Sequence, residues 1–219
     1  MVTKKTLTEA EALEQYRVSL DNVEIQPEIA TTMAEFGYDT TVIAEGKTLL
    51  TQTRQAYDLN KSEDDETTEA YSEFAALKSN LEEIYKMHRK KAKIIFRNDS
   101  KTLDKLAVSG SIPQAYINWL ETVKKFYSVA SRDADIQTKL LRLKVTADDL
   151  SAAGTVIGEL EAARAEYLRE KGESQDATKA KDEAFAKMDD WMSEFYAVAK
   201  IALEDKPQLL ESLGKFVRS

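Results

Sequence analysis

The feature that most constrains the fold is that the second half of the chain repeats the first. Residues 92–99 (AKIIFRND) are echoed by residues 199–206 (AKIALEDK), and apolar positions stay in register without a gap through most of each half. We call the spacing from position 92 to position 199 the repeat offset. Self-similarity at a fixed spacing is the sequence signature of a duplicated supersecondary unit. The sequence therefore predicts two tandem copies, residues 1–110 and 111–219, packed together as a single structural unit.

Both halves carry the pattern of amphipathic helices. Apolar residues recur at spacings of three and four, as in Trp119, Leu120, Val123, Phe126 and Tyr127. Seven glycines and three prolines among 219 residues leave few natural turn points, and no segment alternates apolar and polar residues in the manner of a strand. The pattern predicts an all-α fold, an elongated antiparallel helical bundle.

We expect the same helix series in each half. The series opens with one amphipathic helix and ends with a short closing helix. Between them we expect a short helix, a long helix and a longest helix. The predicted ranges are 113–131 for the opening helix of the second copy, 27–36 and 134–143 for the short helix, and 63–97 and 174–204 for the longest. Ser62 and Ser174 are candidate N-caps, and Gly172 is a candidate helix stop. With few residues between them, the long and longest helices should form an antiparallel hairpin.

Several chemistries are excluded by the residue types. The chain has no cysteine and a single histidine, so thiolate sites and histidine clusters are ruled out. A di-iron bundle needs two Glu-x-x-His motifs, whereas His88 stands alone and Tyr85 precedes it by three. No glycine-rich phosphate loop and no Gly-x-Ser-x-Gly motif occurs. We therefore predict no catalytic residues, no metal and no cofactor, although an enzyme that uses only Asp, Glu, Lys and Tyr stays open.

The single histidine lies in an apolar stripe. His88 shares one helix face with Leu81, Ile84 and Ala92, and Phe195 is its counterpart at the repeat offset. This placement predicts a packed histidine that forms a local hydrogen bond rather than a general base or a pH switch. Lys91 falls on the same side and must extend to solvent or find a carboxylate. The large aromatic residues at helical spacing are expected in the core: Trp119, Trp191, Phe126, Phe185 and Phe195.

One helix face carries a run of basic residues. These five lie within about one third of the helix circumference: Lys86, Arg89, Lys90, Lys93 and Arg97. One interpretation is a patch for an anionic partner. The other is a solvated face whose positive charge complements the C-terminus of the helix. The second copy lacks the stripe.

The overall charge argues against nucleic acid. The formal net charge is −8, from 31 basic and 39 acidic residues, and no nucleic-acid-binding motif is present. The two halves share the sign, with 15 basic and 20 acidic residues in 1–110 and 16 and 19 in 111–219. No stretch is long and apolar enough for a membrane span, and no signal peptide is visible. A cytoplasmic location is the expectation.

The last residues form a separate hypothesis. Phe216 and Val217 are apolar at a chain terminus that would otherwise fray. They must fold back onto the bundle or dock on another copy of the chain, and the second option would give a self-assembling protein.

The C-terminal stretch also has a resemblance. Residues 201–214 (IALEDKPQLLESLG) and 216–219 (FVRS), together with segments 166–179 and 191–193, resemble a group of uncharacterised bacterial all-helical proteins of similar length with an internal duplication. The resemblance implies a bacterial all-α fold. It implies no activity and no catalytic residues.

Two functions from different classes follow as expectations. The first is a non-enzymatic structural or protein-interaction helical bundle whose partner is another protein or itself. The alternative is a ligand-binding or sensory bundle with a pocket between the two halves. A sizeable apolar cavity with convergent polar groups would favour the alternative.

Overall fold

Helices account for nearly all of the regular structure. The computed structural model describes residues 7–214, and within that range it contains eight helices and no strand. The helices are α1 (Glu9–Ile25), α2 (Pro27–Glu35), α3 (Thr40–Ile95), α4 (Ser100–Lys105), α5 (Tyr116–Arg132), α6 (Ala134–Leu141), α7 (Ala147–Ala202) and α8 (Leu209–Ser212). The all-α prediction is confirmed. Among the helices in residues 7–214, none is long and apolar enough to cross a membrane.

In each half, one uninterrupted helix takes the place of the predicted long and longest helices. α3 and α7 each run for 56 residues without interruption, so the predicted break in each half is wrong, and so is the hairpin that depended on it. Ser174 does not cap a helix; its hydroxyl donates to Asp64 Oδ1 at 2.7 Å. Gly172 lies inside α7, where one glycine costs only about 1 kcal/mol relative to alanine. Neither long helix contains a proline to force a break.

Side chains fix where the main helices begin. Thr8 and Glu11 form a reciprocal capping box at the start of α1, and Thr146 and Asp149 exchange the equivalent hydrogen bonds at the start of α7. Asp39 accepts from two backbone N–H groups at the start of α3. These contacts satisfy N–H groups that have no partner within the first helical turn.

The helix bounds recur at a constant spacing. α5, α6 and α7 begin at the repeat offset from α1, α2 and α3, and the ends of α3 and α7 are separated by the same spacing. The left-handed backbone positions follow the same rule: Gly37 and Lys144 form one pair, and Ala107 and Gly214 form the other. Helix starts and backbone turns therefore recur at the spacing of the sequence similarity.

The chain divides into two compact units. Unit 1 comprises Met1–Asp65 and Gly172–Ser219, and unit 2 comprises Glu66–Lys171. Each has its own core, built around Leu20, Ile29, Met33, Met188 and Phe195 in unit 1 and around Leu81, Tyr85, Phe126, Leu140 and Leu160 in unit 2. Each unit draws on both predicted repeats, so residue 110 is not the border between the units. The repeats 1–110 and 111–219 stay a prediction about duplication.

Within unit 1, α3 and α7 make direct contacts. Thr53 donates to the carbonyl of Ala184 at 3.3 Å, and Asn60 Nδ2 donates to Thr178 Oγ1 at 3.1 Å. The approach is tight at Gly46, where an added Cβ would lie 2.4 Å from the Trp191 ring. Gly46 is therefore required by the proximity of Trp191.

Aromatic rings fill much of both cores, as expected. Trp119, Phe126, Phe185 and Phe195 are buried, and Trp191 is half-buried. The Trp191 ring stacks on Phe195 with centroids 5.5 Å apart and planes at 11°. Such ring pairs add to the stabilisation that comes from burial alone.

Candidate interaction surface

The last turn of α3 leads into a hydrogen-bonded turn of unit 2. α3 ends at Ile95, and Asp99 caps α4 by accepting from the Thr102 N–H at 3.1 Å and from its hydroxyl at 2.6 Å. These hydrogen bonds lower the pKa of the Asp99 carboxyl, so it is ionised at neutral pH. Arg97 and Asn98 lie between the two helices and are exposed. The Asp99 N–H also donates to the Phe96 carbonyl at 2.8 Å, so the backbone that carries Arg97 and Asn98 is a hydrogen-bonded turn.

A second fixed turn, between α6 and α7, lies beside the first. The Val145 N–H donates to the Leu140 carbonyl at 3.3 Å, and Lys144 adopts a left-handed backbone with φ of 55°. Lys91 Nζ donates to the Lys144 carbonyl at 3.3 Å. Lys91 thus contacts a backbone carbonyl instead of a carboxylate, and it fastens this turn to α3.

A groove of about 370 Å³ forms where the two turns meet. We call it the basic groove, and its lining residues are Ile94, Ile95, Arg97, Asn98, Arg142 and Leu143. Ile94 is 54% exposed. Within residues 7–214, the side chains of Arg97 and Arg142 form no hydrogen bond and no ion pair. The groove therefore combines two unneutralised guanidinium groups with exposed apolar surface.

Two residues of the predicted basic stripe have structural partners. Lys86 Nζ lies 2.7 Å from Glu82 Oε1, and this pair lowers the pKa of Glu82. Arg89 is half-buried and donates to the backbone carbonyls of Val108 and Gly110. Arg89 therefore anchors the segment that follows α4.

The other three residues of the predicted basic stripe have no ion-pair partner in the described chain. Lys90 and Arg97 are exposed and Lys93 is half-buried; among the described residues, none of the three forms an ion pair. Sequence reasoning missed Arg142, because it is far from Arg97 along the chain and belongs to no basic run. Alignment of the two repeats contained a signal, since it pairs Arg142 with an acidic residue, Glu35.

His88 lies beside another cavity of unit 2. As expected, it is buried, at 8% exposure, and its Nδ1 lies 3.1 Å from the Tyr127 hydroxyl. Burial lowers the pKa of His88 and raises that of Tyr127, so both are neutral at pH 7.

The cavity next to His88 measures about 410 Å³, and its lining includes Ile84, Met87, Asp149 and Val156. Asp149 Oδ2 accepts from the N–H and the hydroxyl of Thr146, each at 2.8 Å. His88 and Asp149, two polar residues of the cavity lining, thus form hydrogen bonds with other residues of the fold.

The candidate self-association residues Phe216 and Val217 lie outside the described residues. Comparison of the chain with protein-family models, with curated proteins and with solved structures finds no match. A function for this chain therefore has to be inferred from its own residues and geometry.

Proposed function

We propose that this protein is a non-enzymatic protein-interaction bundle that binds a carboxylate-bearing protein surface at the basic groove. One observation supports this most directly: Arg97 and Arg142, without ion-pair partners in the described chain, flank an isoleucine that is half exposed. Arginine beside exposed apolar surface is typical of the central part of protein interfaces. Its planar guanidinium also binds carboxylates in a bidentate manner.

The apolar lining favours a protein over a nucleic acid as the partner. Three of the six lining residues, Ile94, Ile95 and Leu143, are aliphatic, and aliphatic side chains gain nothing from a phosphate backbone. Single-stranded nucleic acids are bound mainly by aromatic stacking, and no aromatic residue lines the groove. The absence of nucleic-acid binding stays a prediction.

The proposed architecture is a tandem duplication in which the two long helices run antiparallel. The equal spacing of helix bounds supports the duplication. Support for the antiparallel direction comes from unit 1, where residues 53, 60 and 64 of α3 contact residues 184, 178 and 174 of α7. Along these contacts the residue number falls on α7 as it rises on α3, which is the order expected of antiparallel helices.

The ligand-binding alternative has one observation in its favour. The cavity beside His88 is lined by α3 and α7, which belong to different predicted repeats. Two of its three polar lining residues, His88 and Asp149, however, already have hydrogen-bond partners in the fold, whereas neither arginine side chain of the basic groove has one in the described chain. We therefore prefer the protein-interaction function to the ligand-binding one. A cytoplasmic location and a bacterial origin stay predictions.

A binding assay with a defined probe tests the proposed function. The probe is a labelled synthetic helical peptide with glutamate and phenylalanine on one face, and anisotropy is recorded at low and high salt. The double variant Arg97→Glu/Arg142→Glu should bind at least about tenfold more weakly, because like charges then meet at the contact. Binding of the unaltered protein should weaken as salt rises.

The matched control is Lys125→Glu/Lys171→Glu. Both lysines are exposed, lie in unit 2 outside the groove and have no ion-pair partner among the described residues. This control changes the net charge by the same amount and should bind as the unaltered protein does. Equal loss in both double variants, or no binding at any salt concentration, would contradict the proposed function.

A further inference from the structure

The two units differ sharply in charge. Counted on the sequence, unit 2 has 18 basic and 16 acidic residues, a net charge of +2, whereas unit 1 has 13 basic and 23 acidic residues, a net charge of −10. Opposite net charges favour the encounter of unit 2 of one copy with unit 1 of another.

Part of the difference lies at positions that correspond to the basic groove. At the repeat offset, Arg97 corresponds to Glu204 and Arg142 to Glu35. Asn98 likewise corresponds to Asp205. Both arginines of the groove are therefore replaced by carboxylates in unit 1.

The corresponding surface of unit 1 has the opposite charge, but its apolar residues are kept. Ile94 of the groove corresponds to Ile201, which is 62% exposed, and Leu143 corresponds to Phe36, which is 47% exposed. We call the unit 1 surface formed by Glu35, Phe36, Ile201, Glu204 and Asp205 the acidic face. Ile201 and Phe36 give this surface exposed apolar area beside its carboxylates.

Contacts within unit 1 hold the two parts of the acidic face together. Met33 of α2 and Leu203, just after α7, are buried in the same core, and Lys206 forms an ion pair with Glu28 of α2. Within residues 7–214, the carboxylates of Glu35 and Glu204 form no hydrogen bond and no ion pair. Like the arginines of the groove, they are available to a partner.

We propose that the partner of the basic groove is the acidic face of a second copy of this chain. The inference rests on the proposed function and names its partner. Arg97 and Arg142 of one copy meet Glu35 and Glu204 of the next, while Ile94 and Leu143 pack against Ile201 and Phe36. Each copy uses two different surfaces, so the contact is heterologous, and it either closes into a ring or continues from copy to copy.

Charge complementarity is the reason for choosing a second copy over an unrelated acidic protein. Unneutralised arginines on one surface match unneutralised carboxylates on another surface of the same sequence, with apolar side chains between them on both. The proposed contact involves few residues of each copy, so we expect association that is reversible and that weakens as salt rises.

Sedimentation velocity over a range of protein concentrations at low salt tests the inference. The average mass of the unaltered protein should rise with concentration and fall when salt is added. Arg97→Glu/Arg142→Glu and Glu35→Lys/Glu204→Lys should each stay monomeric, because each places like charges against the surviving surface. All four residues are exposed, so far-ultraviolet circular dichroism should show an unchanged fold.

Mixing the two double variants gives the sharpest readout. The first keeps its acidic face and the second keeps its basic groove, so the mixture should form a heteromer that neither variant forms alone. The charge-matched controls are Lys125→Glu/Lys171→Glu and Glu45→Lys/Glu183→Lys. These four residues are exposed, lie outside both surfaces, and their substitution should leave association intact.

A monomeric unaltered protein at every concentration would overturn the inference. So would double variants that associate normally, or a mixture that stays monomeric. If the protein is monomeric but binds the acidic probe peptide through Arg97 and Arg142, this inference fails and the proposed function stands. If it neither associates nor binds the probe, both fail.

Discussion

Gly46→Ala should destabilise the protein, although the same change in most helices is stabilising. Alanine is better than glycine inside a helix by about 0.5–1 kcal/mol. At Gly46, however, the new Cβ would lie 2.4 Å from the Trp191 ring, and forcing extra atoms into a packed contact costs about 1–3 kcal/mol. Because a separation of 2.4 Å is a severe overlap, the cost belongs to the upper part of that range, and we expect a net loss of about 1–2 kcal/mol.

The ring cannot move away without losing other contacts. Trp191 stacks on Phe195 and makes an edge contact with Tyr38 at a centroid distance of 5.7 Å. Urea unfolding followed by circular dichroism measures the change in the free energy of unfolding. The matched control is Gly154→Ala in α7, where nothing lies within 4 Å of an added Cβ; it should stabilise by about 0.5–1 kcal/mol. Stabilisation by Gly46→Ala would refute the reasoning.

The other unit suggests a rescue. The counterparts of Gly46 and Trp191 at the repeat offset are Ala153 and Ile84, both packed in the core of unit 2. In a Trp191→Ile background the added methyl group no longer meets an indole ring. Gly46→Ala should then be neutral or stabilising by up to about 1 kcal/mol, which reverses its sign. An effect of the same sign and size in both backgrounds would show that Trp191 is not the cause.

The remaining predictions concern unit 2 and the helix ends. His88→Phe should lower the free energy of unfolding in urea by about 1–3 kcal/mol, because it leaves the buried Tyr127 hydroxyl without its partner. Adding Tyr127→Leu should recover part of this loss. If it does not, the His88–Tyr127 hydrogen bond is not the cause. Burial lowers the pKa of His88, so the unfolded chain takes up its proton first and stability should fall as pH drops below about 6.5; a profile between pH 7 and 5.5 should lose this component in the double variant. Lys144→Gly should raise the melting temperature, since a left-handed backbone costs a side-chain-bearing residue about 1 kcal/mol, whereas Gly37→Ala should lower it.

Much of the secondary structure could be predicted because it depends on local signals. The spacing of apolar residues acts within a few residues, and the scarcity of glycine and proline leaves few positions at which a helix would end. The predicted break between the long and longest helices was wrong, because α3 and α7 each continue through it as one helix. A serine such as Ser174 has the same appearance in a sequence whether it caps a helix or bonds across to Asp64, and only tertiary contact decides between the two.

The candidate site was predictable in part for a similar reason. The helical period placed Arg97 and Arg89 on one face, but it could not show that Arg89 donates to Val108 and Gly110. Arg142 joins Arg97 only because the turn at Lys144 is fastened to α3. A groove between two turns depends on residues far apart in sequence, and periodicity along one helix carries no information about them.

The two compact units differ in net charge, although the two halves of the sequence have similar charges. Residues 1–110 and 111–219 have similar balances, 15 basic to 20 acidic and 16 to 19, because each compact unit takes segments from both. Regrouped by unit, the balances separate into 18 to 16 and 13 to 23. Two units with the same charge at corresponding surfaces would repel wherever copies met. In the contact that we propose, Glu204 and Glu35 occupy the positions that correspond to Arg97 and Arg142 at the repeat offset. This difference in charge lies at exposed positions, so it needs no change in the buried residues that hold each unit together.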